Sequence, residues 1–115
     1  MHYLLMIYAD EAAEATMTEA DAQAEMAAYG ADAGAMAQAG VLVGGERLRP
    51  TSDATSVRIR GGQTELLNGP YADTREQLGG YFMIEVPDLD AALRWAARCP
   101  SAPHGTIELR PIWAM

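Results

Sequence analysis

Two runs of bulky apolar residues, Tyr3-Leu4-Leu5-Met6-Ile7-Tyr8 and Tyr81-Phe82-Met83-Ile84, show no polar alternation, and this limits the possible folds more than any other feature. A strand with one wet face alternates, whereas a strand covered on both faces does not. A chain of 115 residues has room for one core, because on folding it removes roughly two-thirds of its surface from water. Residues 1–115 therefore read as a single domain. One helical layer covers one face of a sheet. The other face needs a cover too, and a second copy of the chain is the simplest one.

The helical segments fall between the strands. Residues 9–17 are acidic and small, and then Thr18 stands where its hydroxyl can cap a helix whose first turn carries Glu19 and Asp21. Ala22, Met26, Tyr29, Ala33 and Met36 follow as an apolar stripe at helical spacing, predicting a face packed on the sheet. Gly30 and Gly34 inside it imply a close approach of another backbone, and Gly40 a left-handed end. Val41-Leu42-Val43 is a second strand broken by Gly44-Gly45. Val57–Arg60 and Thr64–Leu67 flank Gly61-Gly62 as a hairpin with one wet face. After the strand Tyr81–Val86, Asp88 caps a helix with Leu89, Ala92, Leu93 and Ala96 on one face. Pro100 stops that helix, and Thr106–Arg110 is the last strand. This order predicts an α+β fold: ferredoxin-like βαββαβ with an inserted β-hairpin, a mostly antiparallel sheet, two helices on one face, and a homodimer joined sheet to sheet.

Charge and cysteine content exclude several functions. Sixteen acids stand against eight Arg and no Lys, a net charge of −8, which does not suit a phosphate backbone. Residues 1–40 hold seven of those acids and no Lys or Arg, which reads as a solvated acidic helix face, a poor match for anionic membranes. The apolar run ending at Asp10 lacks a basic flank and is too short for a signal peptide or a span. Cys99 is the sole cysteine, so no intramolecular disulfide or multi-cysteine zinc site can form, and a cytoplasmic location is expected. Beside Pro100 with no evident base, it reads as buried rather than reactive, and Trp95 and Trp113 read as core or dimer contacts. No strand–GxGxxG–helix context surrounds Gly44-Gly45 or Gly79-Gly80, so no nucleotide cofactor is implied.

The richest stretch is Asn68-Gly69-Pro70-Tyr71-Ala72-Asp73-Thr74-Arg75-Glu76-Gln77-Leu78-Gly79-Gly80. Read structurally, Asn68-Gly69 supplies positive φ, Pro70 fixes a turn, and Asp73 or Thr74 caps a helical turn. Read functionally, Asp73, Arg75 and Glu76 line a dimer cleft, a carboxylate accepting a proton and Arg75 holding an anion, with Tyr71 and Glu76 shaping the pocket and Asn68 a further substrate-binding candidate. Asp10 and Glu11 follow the first strand, and Glu46 and Arg47 the second, so they converge near this loop as surface salt bridges or as a cation site. Asp10 and Arg47 join the substrate-binding candidates, and Asp73 and Glu76 are the catalytic ones.

Together with Tyr3–Tyr8, the Gly40–Glu46 step and the stretch from Val86-Pro87-Asp88 to Arg110-Pro111, this loop resembles the YCII-related proteins, in particular their DGPF branch. That signature runs Asp-Gly-Pro-Phe, a small residue, an acid, Thr, a basic residue, Glu and then Leu-Gly-Gly. Asn68 and Tyr71 replace its first and fourth residues. The resemblance implies a ferredoxin-like dimeric α/β-barrel and a small polar or aromatic metabolite in a cleft. Some relatives are similar to a dehydrochlorinase of chlorinated hydroxyquinols with a proposed His–Asp pair, but residues 16–22 here contain no His. His2 and His104 read as a strand-end and a loop residue. The DGPF branch is also associated with extracytoplasmic-function sigma factors, which implies the alternative of a non-catalytic accessory protein docking through its acidic helix, Glu19 to Asp32.

Overall fold

A computed structural model describes residues 1–114. Strand β1 (His2–Ala9) leads through a four-residue helix α1 (Glu11–Glu14) to the long helix α2 (Glu19–Gln38) and then strand β2 (Leu42–Arg47). A 3₁₀ turn (Thr51–Asp53) precedes the hairpin β3 (Thr55–Arg60) and β4 (Gln63–Asn68). Strand β5 (Gln77–Glu85), helix α3 (Leu89–Ala97) and strand β6 (Thr106–Pro111) complete the chain. The main sheet has the order β2-β5-β1-β6 and every pairing in it is antiparallel. This is the ferredoxin-like arrangement with β3–β4 inserted as a separate two-stranded sheet.

The apolar run of β1 does serve two faces. Tyr3, Leu5, Ile7 and Ala9 are buried toward the helices, while Leu4, Met6 and Tyr8 are half-buried on the opposite face. The core gathers Tyr3, Leu5, Ile84 and Val86 from the sheet, Met36 from α2, and Ala91, Ala92, Ala96 and Cys99 from α3 and its end. Caps fall where the side chains require them. Thr18 Oγ1 accepts from Asp21 N–H at 3.1 Å, Asp88 Oδ1 from Ala91 N–H at 2.9 Å, and Gly40 adopts φ 75° after α2. The break at Gly44-Gly45 is a register shift between Leu42 and Gly44 against β5. There the sheet admits no side chain at Gly45, whose Cβ would stand 2.7 Å from Tyr81 O.

Several sequence expectations are corrected. Within residues 9–17, where the sequence predicted no element, Glu11–Glu14 forms a helix capped by Asp10, whose Oδ1 accepts from Ala12 N–H at 2.9 Å. The α2 stripe holds only toward its C-terminal half. Met36 is buried and Tyr29 and Ala33 half-buried, but Ala22 and Met26 are exposed because the helix projects past the sheet over a cleft. The row turned inward is instead Glu25, Tyr29, Asp32 and Met36, so of the four acids on α2 only Glu19 and Asp21 are exposed and the solvated acidic face is smaller than expected. No backbone approaches Gly30 or Gly34; a Cβ at either meets nothing within 4 Å. On α3 the buried residues are Ala91, Ala92 and Ala96, while Leu89 and Leu93 point outward. Asp73 and Thr74 cap no helix; Thr74 Oγ1 donates to the Glu76 carbonyl in an irregular turn.

Asp32 is a buried carboxylate with an unpaired oxygen, Oδ2, packed against Cys99. Burial pushes its pKa up, and the Arg98 charge and the Cys99 thiol only partly oppose that. Burial, with the nearby Asp32, also pushes the Cys99 thiol up to about 12, so it is inert as a nucleophile. A carboxyl whose pKa rises on folding stabilises the fold while protonated, and that contribution is lost as pH climbs through the raised value. Relative to wild type, Asp32→Asn is therefore expected to gain on the order of 1 kcal/mol between pH 3 and pH 7. Urea unfolding at both pH values checks this, and a pH-independent difference would refute it.

Candidate functional site

A cleft of about 690 Å³ opens between the overhanging half of α2 and the helical side of the sheet. Its apolar floor is Ile7, Tyr29 and Phe82, the two rings lying 6.4 Å apart. Its walls carry Glu11 and Glu14 from α1, Glu25 from α2, and Glu46 and Arg47 from the end of β2. Small residues keep it open. Gly45 and Gly80 line the sheet side, and a Cβ on Gly80 would meet the Glu46 carbonyl oxygen at 2.9 Å.

Glu11 is structural. Its two carboxylate oxygens accept from Thr51 N–H at 2.9 Å and Thr51 Oγ1 at 2.6 Å, tying α1 to the root of the hairpin. Its own N–H donates to Gln77 Oε1 at 2.9 Å, and Gln77 Nε2 donates to the Thr74 carbonyl at 2.6 Å. One side chain thus latches the 68–76 loop to the cleft wall.

Glu25 heads a polar chain at the inner end. Ser101 Oγ donates to Glu25 Oε1 at 3.3 Å, and with the single Ser101 proton so used, Tyr29 O–H is left as the donor to Ser101 Oγ. His104 Nε2 lies 3.8 Å from the same Glu25 oxygen. Burial raises the Tyr29 pKa, so the phenol stays protonated and able to donate. Among the described residues the Glu14 carboxylate has no hydrogen-bond or ion-pair partner, although its backbone N–H donates to the Asp10 carbonyl at 3.0 Å. Desolvation in the cleft, then the charge of Glu25, raises its pKa, and Arg47 partly offsets both. Two carboxylates facing an apolar floor can take and return a proton, and Arg47 beside them can hold an anionic group.

The sequence candidates are distributed unevenly about this cleft. Arg47 lines it, and Asp10 sits at its edge as the α1 cap. Glu76 is half-buried and accepts from Thr106 Oγ1 at 2.7 Å, a brace between the loop and β6. Tyr71, Asp73 and Arg75 are exposed and outside the lining, and Asn68 ends β4 opposite Thr55. Gly69 has the expected positive φ, 119°. Among the described residues no group of three or more His, Cys, Asp or Glu side chains is placed to hold a metal ion. His2 pairs with Glu85 at 3.5 Å, far along the sheet from the cleft.

Sequence reasoning passed over Glu14, Glu25 and Ser101. The available signal was the spacing Glu25, Tyr29, Asp32, Met36, a helical row as regular as the apolar one but containing two carboxylates. Ser101 had none, since it reaches Tyr29 across 72 positions of sequence.

Among the described residues no helix is long and apolar enough to cross a membrane. The family model for the YCII-related domain matches residues 1–115. An uncharacterized protein of Rhizobium meliloti (strain 1021) is 32% identical over 114 residues, covering 97% of this chain and 92% of that protein.

Proposed function

The chain belongs to the YCII-related domain family, and on that premise we propose that it binds and transforms a small polar or aromatic metabolite by proton transfer in the cleft under α2. The carrying observation is the juxtaposition of the Ile7–Tyr29–Phe82 floor with Glu14, Glu25 and Arg47. An apolar floor takes a planar body, Arg47 orients an anionic substituent, and Glu25 exchanges the proton. The Tyr29–Ser101 chain holds Glu25 in place, and His104 Nε2 stands 3.8 Å from the same carboxylate. Proton handling falls to Glu25 and Glu14 rather than to Asp73 and Glu76, because the first pair lines the cleft and the second does not.

The same reading includes a homodimer. On the face away from the helices, Leu4 pairs with Met83 and Met6 with Tyr81, and with Tyr8 they leave an apolar patch that no helix of the chain covers. A second sheet laid on it would remove that patch from water.

A screen of small polar and aromatic metabolites by NMR chemical-shift perturbation tests the cleft. Hits are expected to lose about tenfold or more in affinity in Glu25→Gln and in Arg47→Ala, since each removes a charge-assisted contact. They should be unchanged in Glu19→Gln, on the outer face of α2. Hits indifferent to both cleft substitutions would place binding elsewhere.

A further inference from the structure

The β3–β4 hairpin is a finished structural element with nothing beneath it. Its two-residue turn, Gly61-Gly62, has φ 56° and 76°, the doubly positive geometry that matches strand twist, and Arg58 Nε donates to Glu65 Oε2 across the strands at 2.8 Å. Yet it forms its own sheet. Its register puts Val57, Ile59 and Leu66 on one face, and these are 66%, 65% and 69% exposed. Isolated two-stranded hairpins are marginal in water, and three large aliphatic side chains side by side in solvent worsen that.

Three further observations identify what covers it. The chain exposes 7986 Å², against about 6,100 Å² for a compact monomer of this mass. Its radius of gyration is 16.0 Å, where about 13 Å is usual. The surplus, about 1,900 Å², is more than twice the roughly 800 Å² that each partner loses in a standard interface. Finally, residues 48–70, the arm and its root, carry three Arg against Asp53 and Glu65, while the other 92 residues carry fourteen acids against five Arg. The hairpin segment is a slightly positive projection from a strongly negative body, so a second copy of the same chain offers it a complementary surface.

We infer that the β3–β4 hairpin is an exchange arm that packs the Val57–Ile59–Leu66 face onto a second copy of the chain, in addition to the sheet contact. This rests on the homodimer proposed above. Its consequence reaches the cleft, because Leu48, Arg49 and Pro50 at the root of the arm line the cleft and Thr51 is bonded to Glu11. An arm held by the partner fixes that rim.

Analytical ultracentrifugation across a concentration series, with hydrogen exchange of the full chain, tests it. The double variant Val57→Asp/Ile59→Asp changes only exposed side chains and should keep the wild-type circular dichroism. Its dimer dissociation constant is expected to rise at least about a hundredfold. In wild type the β3–β4 amides should exchange slowly as dimer and quickly once diluted to monomer. A variant that dimerises as tightly as wild type, while Met6→Asp on the sheet face dissociates, would overturn the arm and leave the sheet dimer standing. Wild type that stays monomeric at micromolar concentration would overturn both. Arm amides unprotected in an intact dimer would overturn the arm even if the variant misfolded.

Discussion

Gly105→Ala is expected to destabilise the fold by at least about 3 kcal/mol, the upper range for forcing an atom into packed structure. Its Cβ would lie 2.2 Å from the Tyr8 carbonyl oxygen and 3.2 Å from that of Ser101. Both obstacles are backbone, so neither can swing aside. Relief would require β6 to shift against β1, breaking the pairing of Thr106 with Tyr8 and the Gly105 N–H to Ser101 carbonyl bond. Ser101 and His104 would move with it, so the damage extends to Glu25. Urea unfolding supplies the measurement, with Gly34→Ala as control. That substitution meets no atom within 4 Å, lies inside α2 and should stabilise by up to about 1 kcal/mol. Equal effects at the two glycines would contradict the packing described.

Leu5→Ala is expected to have a comparable or larger cost, about 3–4 kcal/mol, lowering Tm by roughly 10–20 °C. Leu5 is fully buried on the central strand β1, in the core shared with Met36, Ile84 and Ala92. Its neighbours in the sheet are fixed on both sides, by Phe82 on β5 and Leu109 on β6, so the cavity cannot collapse readily. A total stability of about 5–15 kcal/mol leaves little margin for such a loss. Leu4→Ala, one residue along and on the opposite face, should have less than half the effect in a single chain. A calorimetric scan of both variants distinguishes them, and equal shifts would mean the two faces are equally covered.

The difference between those two leucines marks how far the sequence could be read. The absence of alternation in Tyr3–Tyr8 identified a strand with apolar side chains on both faces, and register with β5 and β6 then assigned Leu5 to the core and Leu4 to the open face. The caps at Thr18 and Asp88, the Gly40 helix end, the break at Gly44-Gly45 and the Gly61-Gly62 turn were all legible, because each depends on neighbours within a few residues. The inward face of α2 was not. Ala22 and Met26 look as apolar as Met36, and only the length of the sheet beneath determines where the helix stops packing and starts to roof a cleft.

The candidate site was the least legible part. Arg47 and Glu11 were foreseen near one end of the sheet, since strand ends bring them there. The signature loop drew attention to Asp73 and Arg75, yet the side chain that connects this loop to the cleft wall is Gln77, through Glu11 and Thr74. The hydrogen-bonded group Tyr29, Ser101 and Glu25 joins a helix to the turn before β6. Nothing local to Ser101 marks it.

By itself the sequence determined the order of the six strands and the two longer helices, the caps at Thr18 and Asp88, the Gly61-Gly62 turn, the ferredoxin-like class and the membership in a family, because these follow from local backbone preference and from periodicity along the chain. Tertiary structure alone decided which helical row faces inward, that a cleft of about 690 Å³ lies under α2, and that the hairpin stands free. Those depend on how far one element extends past another and on hydrogen bonds between residues many positions apart, and such distances are set only when the elements pack.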